Sequence, residues 1–376
     1  MLSDRMKRGI ERIGKKLRGE GESNRVPVLA QIGAHTLRLS GVPVKNFFDS
    51  PDLFIKTHLA ASEYYKLDAP SFYFDIYNIE AEAMGQSLNW IPDTFPEINN
   101  SDMLIKTEAD LDRLKAPDPL RDGRMPFIIE FQKRLFDMGI APQFRFCAPF
   151  SLACNIRGIT NLIFDIMERP EFAHRLFCFI TDEVLAPWIT ILREECGGNY
   201  PAVGADAYAS LPVTNLSILE EFALGYIKRL NKQIGGVEVR GWWGEMHLRN
   251  PEKLLELKLQ GHPSYVFALD PDVNHLGLQI FKEFAQKRDL PLMVGIDSTL
   301  ISHGSKNEII DRVREYIHLG NSDGRLLLFL NEVPLECSPD NVHTAVQAIH
   351  HYGRIGASFD EDFKPTASPA FAGKLN

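Results

Sequence analysis

The chain has 376 residues, 24% charged, with a formal net charge of −9, and is long enough for two ordinary domains or for one barrel with extensions. The acidic balance speaks against a nucleic-acid binder, because the basic stretch Lys7–Arg18 is helix-like rather than a long positive tract, and no apolar run of about 18 residues is present to span a membrane. Five scattered cysteines, Cys147, Cys154, Cys178, Cys196 and Cys337, lack paired metal spacing, and the opening Met-Leu-Ser-Asp-Arg carries no apolar signal segment, so a reducing cytoplasm and small-molecule or protein partners are expected.

In chain order, Met6–Leu17 reads as a helix ended by Gly19–Glu20–Gly21, an N-terminal helical arm over residues 1–24 that packs against the body of the fold. Residues 25–353 then carry eight short apolar runs: Val28–Gly33, Ser71–Tyr77, Phe144–Phe150, Ala202–Tyr208, Val237–Gly244, Tyr265–Asp270, Leu292–Asp297 and Leu326–Leu330. Helix-length stretches separate most of them: Asp52–Tyr65, Pro126–Asp137, Pro170–Glu195, Leu216–Gln233, Pro251–Leu259, Leu278–Lys287 and Lys306–His318, with Asp340–Tyr352 closing the series. Continuous apolar strands alternating with helices predict a parallel sheet covered on both faces, hence an α/β fold of the single (β/α)8 (TIM) barrel type. The stretch from Asn78 to Pro142 exceeds an ordinary connection and is expected to carry an insertion, with a hairpin at Asn89–Pro96. The tail, 354–376, is polar and rich in Pro, Gly and Ala.

In such a barrel the chemistry sits at the C-terminal ends of the strands. That rim holds His35, Asp75 and Tyr77, Arg145, Asp206 and Tyr208, Trp243, Glu245 and His247, Asp270, Asp297 and Glu332. Four consecutive strands end on an acid (Glu245, Asp270, Asp297, Glu332), and gathered carboxylates need a cation, a proton or a hydrogen-bonded ligand. Glu245-Met-His247 in an extended segment would put a carboxylate and an imidazole on one side, as a metal or an acid/base pair requires. Each acid could equally cap a helix or pair with an arginine. A buried Arg145 calls for an acid or an anionic ligand, and Trp242 and Trp243 offer flat faces. Neither a P-loop nor a dinucleotide fingerprint is present.

Phe74-Asp75-Ile76 with Glu82-Ala83-Met84-Gly85, Ala148-Pro149-Phe150-Ser151 with Arg157-Gly158, Gly295-Ile296-Asp297-Ser298 and Ser338-Pro339-Asp340-Asn341-Val342 occur in an order that resembles the uroporphyrinogen decarboxylase superfamily over about residues 6–353. The resemblance implies a TIM barrel that serves either as a porphyrinogen decarboxylase or as a cobalamin-dependent methyltransferase, the latter including methylcobalamin:thiol enzymes and the first methyltransferases of O-demethylase systems. The decarboxylases carry an Arg-Gln-x-x-x-Arg-like motif after the first strand. Here the stretch is Ala30-Gln31-Ile32-Gly33-Ala34-His35, without either arginine, although Asp75 matches their pyrrole-binding aspartate. The thiol methyltransferases carry His-x-Cys-Gly after strand five and a cysteine after strand eight. Here those places read Gly241-Trp242-Trp243-Gly244 and Glu332.

The resulting expectation is a methyltransferase of the O-demethylase type, passing the methyl group of a methoxylated aromatic donor to cobalamin carried by a separate corrinoid protein. Glu245, His247, Asp297 and Glu332, with His35 as another proton donor, are the expected catalytic groups. Asp75, Tyr77, Arg145, Asp206, Tyr208, Trp243 and Asp270 are expected to bind substrate. A metal such as zinc would fall to Glu245, His247 and Glu332. The alternatives are a lyase acting on a carboxylated substrate through Asp75, a methylcobalamin:thiol methyltransferase, and a non-catalytic member whose rim acids are structural.

Overall fold

The computed structural model describes residues 2–20, 24–262, 264–360 and 362–372; residues 1 and 21–23 of the expected arm and 361 and 373–376 of the expected tail lie outside the described residues. The described strands are β1 (Val28–Ala30), β2 (Leu88–Asn89), β3 (Glu97–Ile98), β4 (Phe144–Cys147), β5 (Ala202–Ala205), β6 (Val237–Arg240), β7 (Val266–Leu269), β8 (Leu292–Ile296) and β9 (Leu326–Leu330). The chain forms two compact units, one of Met1–Val44, Leu53–Phe74 and Pro263–Asn376, the other of Lys45–Asp52 and Asp75–His262.

In the first unit the sheet order is β1-β9-β8-β7, all parallel. Val28 stands opposite Leu328, so the first strand neighbours the last, as the strand order of a (β/α)8 barrel demands. Every residue of β8 is buried, which is why its sequence is continuously apolar rather than alternating. The helix Asp4–Arg18 is capped by Ser3, whose side chain accepts from the Met6 amide, and ends at Gly19 with φ 67. Its Ile13 and Leu17 pack on Tyr265, Met293 and Leu327, so the arm covers apolar side chains of β8 and β9. Asp68 pins it: its carboxylate takes Arg12, takes Arg25 at 2.7 Å, and accepts the Val28 amide at 2.8 Å.

In the second unit β4-β5-β6 form a parallel sheet, with Phe144 opposite Ala202 and Ala202 opposite Val237. The hairpin expected near Asn89–Pro96 is present as the antiparallel pair β2–β3, Leu88 opposite Ile98.

Three expectations need correction. Ser71–Tyr77, read as the second strand, forms no ladder; Asp75 adopts φ 62, a left-handed conformation outside the strand region, and the chain turns there into the helix Ile79–Ala83. The apolar runs at Val28–Gly33 and Phe144–Phe150 end early, because Gly33 opens the helix Gly33–Ser40 and Pro149, its missing N–H harmless at a first turn, opens Pro149–Arg157. The single long helices expected at Pro170–Glu195 and Leu216–Gln233 each contain a π-helical segment, Phe179–Leu185 and Leu219–Leu224.

Gly9 faces the Asp68 backbone so closely that a methyl group there would overlap the Asp68 carbonyl oxygen. Gly9→Ala is therefore expected to push the arm off its seat and to lower stability by about 1–3 kcal/mol in urea unfolding, the usual cost of overpacking. An unchanged midpoint would show that the arm does not depend on this contact.

Candidate active site

A parallel strand delivers its last residue to one edge, and a buried carboxylate at such an edge must find donors or be protonated. Asp270, after β7, is buried and accepts from Arg312 Nη1 at 2.9 Å, the Tyr316 hydroxyl at 2.5 Å, the Asn274 amide at 3.1 Å and the Asp297 amide at 3.1 Å. Burial raises its pKa while Tyr316 and Arg312 oppose the rise. Asp297, half-buried after β8, caps the helix Ser298–His303 by accepting the Thr299 amide at 3.0 Å. Both carboxylates thus have hydrogen-bonding partners within the fold.

His35 lies on the helix Gly33–Ser40, fully buried, with Nε2 2.6 Å from the Tyr65 hydroxyl. Burial depresses its pKa to about 4, which leaves the imidazole neutral at pH 7 and without a proton to spare. Glu332, two residues beyond β9, is different: its side chain reaches solvent although protein atoms crowd it, and this crowding raises its carboxyl pKa.

In the second unit the Glu245–His247 pair is overturned. The segment is a 3₁₀ turn rather than an extended one, so residues two apart diverge: Glu245 is 0% exposed and His247 is exposed. Glu245 Oε1 accepts from Lys258 Nζ at 2.6 Å. Among the described residues no group of three His, Cys, Asp or Glu side chains is placed to hold a metal ion, and the expected set Glu245, His247 and Glu332 is not seen as such a group. Among the described residues, Glu245 and His247 do not form the ligand pair that a zinc would need.

Asp206, after β5, is fully buried, accepting the Ser151 amide at 2.9 Å and Trp242 Nε1 at 3.0 Å; burial lifts its pKa to about 6. It joins the ends of β5 and β6 to the start of the helix Pro149–Arg157. Gly241, beside the Asp206 amide and the Tyr77 hydroxyl, has φ 96, a backbone conformation that favours glycine. Tyr208 is 41% exposed, Trp243 is half-buried with its amide on Ser210 Oγ at 3.2 Å, and Arg145 is half-buried on β4.

Asp75 is buried, and its oxygens accept from Asn78 Nδ2 at 2.8 Å and from Arg124 Nη2 at 2.8 Å. Burial lifts its pKa to about 7 against the pull of Arg124. Glu80, on the next helix and also buried, accepts the Cys147 amide at 3.2 Å and is pushed by burial up to about 8.

Sequence reasoning missed the counter-groups. Lys258 could have been found, since a lysine within the apolar stretch Leu254-Leu255-Glu256-Leu257-Lys258 needs an acid once buried. Arg312, Tyr316 and Tyr65 carry no such local sign, and Arg124 lies 49 residues from Asp75.

Residues 9–352 match the uroporphyrinogen decarboxylase (URO-D) family. A uroporphyrinogen decarboxylase of Myxococcus xanthus is 24% identical over 317 residues, 81% of this chain and 84% of the relative, and one of Anaeromyxobacter sp. is 22% identical over 321 residues, 81% and 86%. A solved methyltransferase from Methanosarcina mazei shares the fold with a TM-score of 0.70 at 17% identity, covering 91% of this chain and 98% of its own. The parallel ladders, the strand order and a match over most of the length agree on a (β/α)8 barrel, and the chain belongs to the uroporphyrinogen decarboxylase family.

Proposed function

We propose that this protein is a methyltransferase of the O-demethylase type, moving the methyl group of a methoxylated aromatic compound to the cob(I)alamin of a separate corrinoid protein. The observation that carries this reading is Glu332: a solvent-reaching carboxyl beyond β9 whose pKa is raised by the protein atoms around it. An aryl methyl ether has a poor leaving group, so the departing oxygen needs a proton in the transition state. Attack of the cobalt nucleophile on the methyl carbon breaks the C–O bond, the bonding pair stays on oxygen, and the Glu332 carboxyl gives its proton to that oxygen. The products are a phenol and methylcobalamin. Among the described residues Glu245 is engaged by Lys258 and is turned away from His247, and we assign the leaving oxygen to an acid.

Two further features support the reading. Ala30 and His35 stand where the decarboxylases carry arginines, and His35 is neutral, so the chain lacks cations there to meet a tetrapyrrole's carboxylates. The methyltransferase from Methanosarcina mazei has the same fold. Tyr77, Tyr208 and Trp243 are assigned to the aromatic ring, Asp75 to a polar substituent and Arg145 to a ring carboxylate.

Mixing enzyme, reduced corrinoid protein and a panel of methoxyarenes should convert the cob(I)alamin spectrum to that of methylcobalamin, and Glu332→Gln should slow this by about 10²–10⁴-fold, the usual loss for a general acid. Because the protonated form is the active one, the wild-type rate should fall as pH rises through the Glu332 pKa, and the Gln variant should lose that limb. A carboxylic acid or tetrapyrrole turned over by the enzyme alone, with no spectral change for any ether, would decide for a lyase. Arg145→Ala should raise KM about tenfold or more for ring-carboxylated donors and leave uncharged donors unaffected, as loss of a charge-assisted hydrogen bond predicts. Equal effects on both donor types would remove Arg145 from substrate binding.

A further inference from the structure

Arg124 sits immediately before the helix Met125–Asp137 and is 7% exposed. One edge of its guanidinium meets two carboxylates, Asp75 through Nη2 and Glu82 through Nε. Its face lies 4.5 Å from the Phe48 ring centroid and 5.1 Å from that of Trp90, which follows β2 in the hairpin. Phe48 in turn meets Trp90, Phe95 and Phe127, at 6.1, 6.2 and 5.3 Å between centroids. Nη1 is buried without a hydrogen-bond acceptor among the described residues. Asn78 makes a second bridge, its Nδ2 donating both to Asp75 and to the Pro96 carbonyl at 2.8 Å. The hairpin is thus tied to Asp75 twice, once through each arm.

Asp75 itself is held in a conformation costly for a residue with a Cβ. A non-glycine residue at φ 62 persists where its surroundings over-determine it, and such positions cluster at functional sites. The charged and titratable groups described around its carboxyl are Arg124 ahead of the helix, Glu80 and Glu82 on the helix Ile79–Ala83, and Cys147 at the end of β4. Among these described groups Arg124 is the one cation.

We propose that Arg124 is a positioning residue for Asp75: it keeps that carboxylate ionised and oriented while its stacked face couples it to the hairpin 88–98, so that the hairpin is ordered over Asp75 only when Asp75 is charged. This rests on the reading of Asp75 as a substrate-facing group. A lysine in place of Arg124 would keep the charge but lose the planar stack and the two-sided grip. A glutamine would lose the charge as well.

The test needs no methyl donor, so it stands or falls separately from methyl transfer. Infrared spectra of the full chain near pH 8.5, above the Asp75 pKa of about 7, with Asp75→Asn as the subtraction, should show the carbonyl band of a protonated Asp75 in Arg124→Gln and not in the wild type or in Arg124→Lys. Amide hydrogen exchange across 88–98 should become about tenfold or more faster in both variants, as loss of a hydrogen bond to a charged group implies, while the β4-β5-β6 sheet keeps its protection. If Arg124→Gln exchanges everywhere, Trp90→Leu, which removes the stack alone, should loosen the hairpin without a protonated band. Wild-type hairpin exchange in Arg124→Gln and Trp90→Leu, or a protonated Asp75 beside an unchanged hairpin, overturns the proposal.

Discussion

The cost of taking a carboxylate out of water governs the rim of this protein. Each ion moved into the interior loses several kcal/mol of hydration unless opposite charge and hydrogen bonds restore it. The chain meets that cost residue by residue: Arg124 and Asn78 at Asp75, Lys258 at Glu245, Arg312 and Tyr316 at Asp270, Trp242 and a backbone amide at Asp206. Some of these partners also join separate elements: Arg312 and Tyr316, on the helix Lys306–Gly320, reach Asp270 after β7, and Trp242 after β6 reaches Asp206 after β5. A group so engaged is poorly placed to exchange protons with substrate. Glu332 reaches solvent and keeps the raised pKa that its surroundings impose.

Much of the fold was legible because parallel strands buried on both faces leave continuous apolar runs; seven of the eight predicted runs contain a parallel strand. The eighth failed at Asp75, whose left-handed backbone is held by Arg124 and Asn78, one of them far along the chain. The π-helical segments were hidden for a related reason: apolar periodicity at helical spacing does not register one extra residue in a turn.

At the candidate site, residue type and strand-end position picked out the acids, but not what each acid meets. Glu245 and His247 looked like a pair because an extended strand end was assumed, and a 3₁₀ turn separated them. Asp297 turned out to cap a helix, a role that its position before Ser298-Thr299 allowed from the start. Counter-charges came from two helices and from the residue ahead of a third, at separations of 13, 42 and 49 residues, beyond what spacing reveals.

The roles proposed for Glu332, Arg145 and the aromatic side chains depend on an intact methyl group leaving an aromatic ether for cobalt. A methoxyarene carrying a trideuterated methyl group, incubated with the enzyme and a reduced corrinoid protein, tests this directly by mass spectrometry of the cobalamin. The predicted products are trideuteromethylcobalamin and one equivalent of the phenol, both absent without enzyme. Unlabelled cobalamin beside an intact ether, with carbon dioxide released from a carboxylated substrate by the enzyme alone, would contradict it.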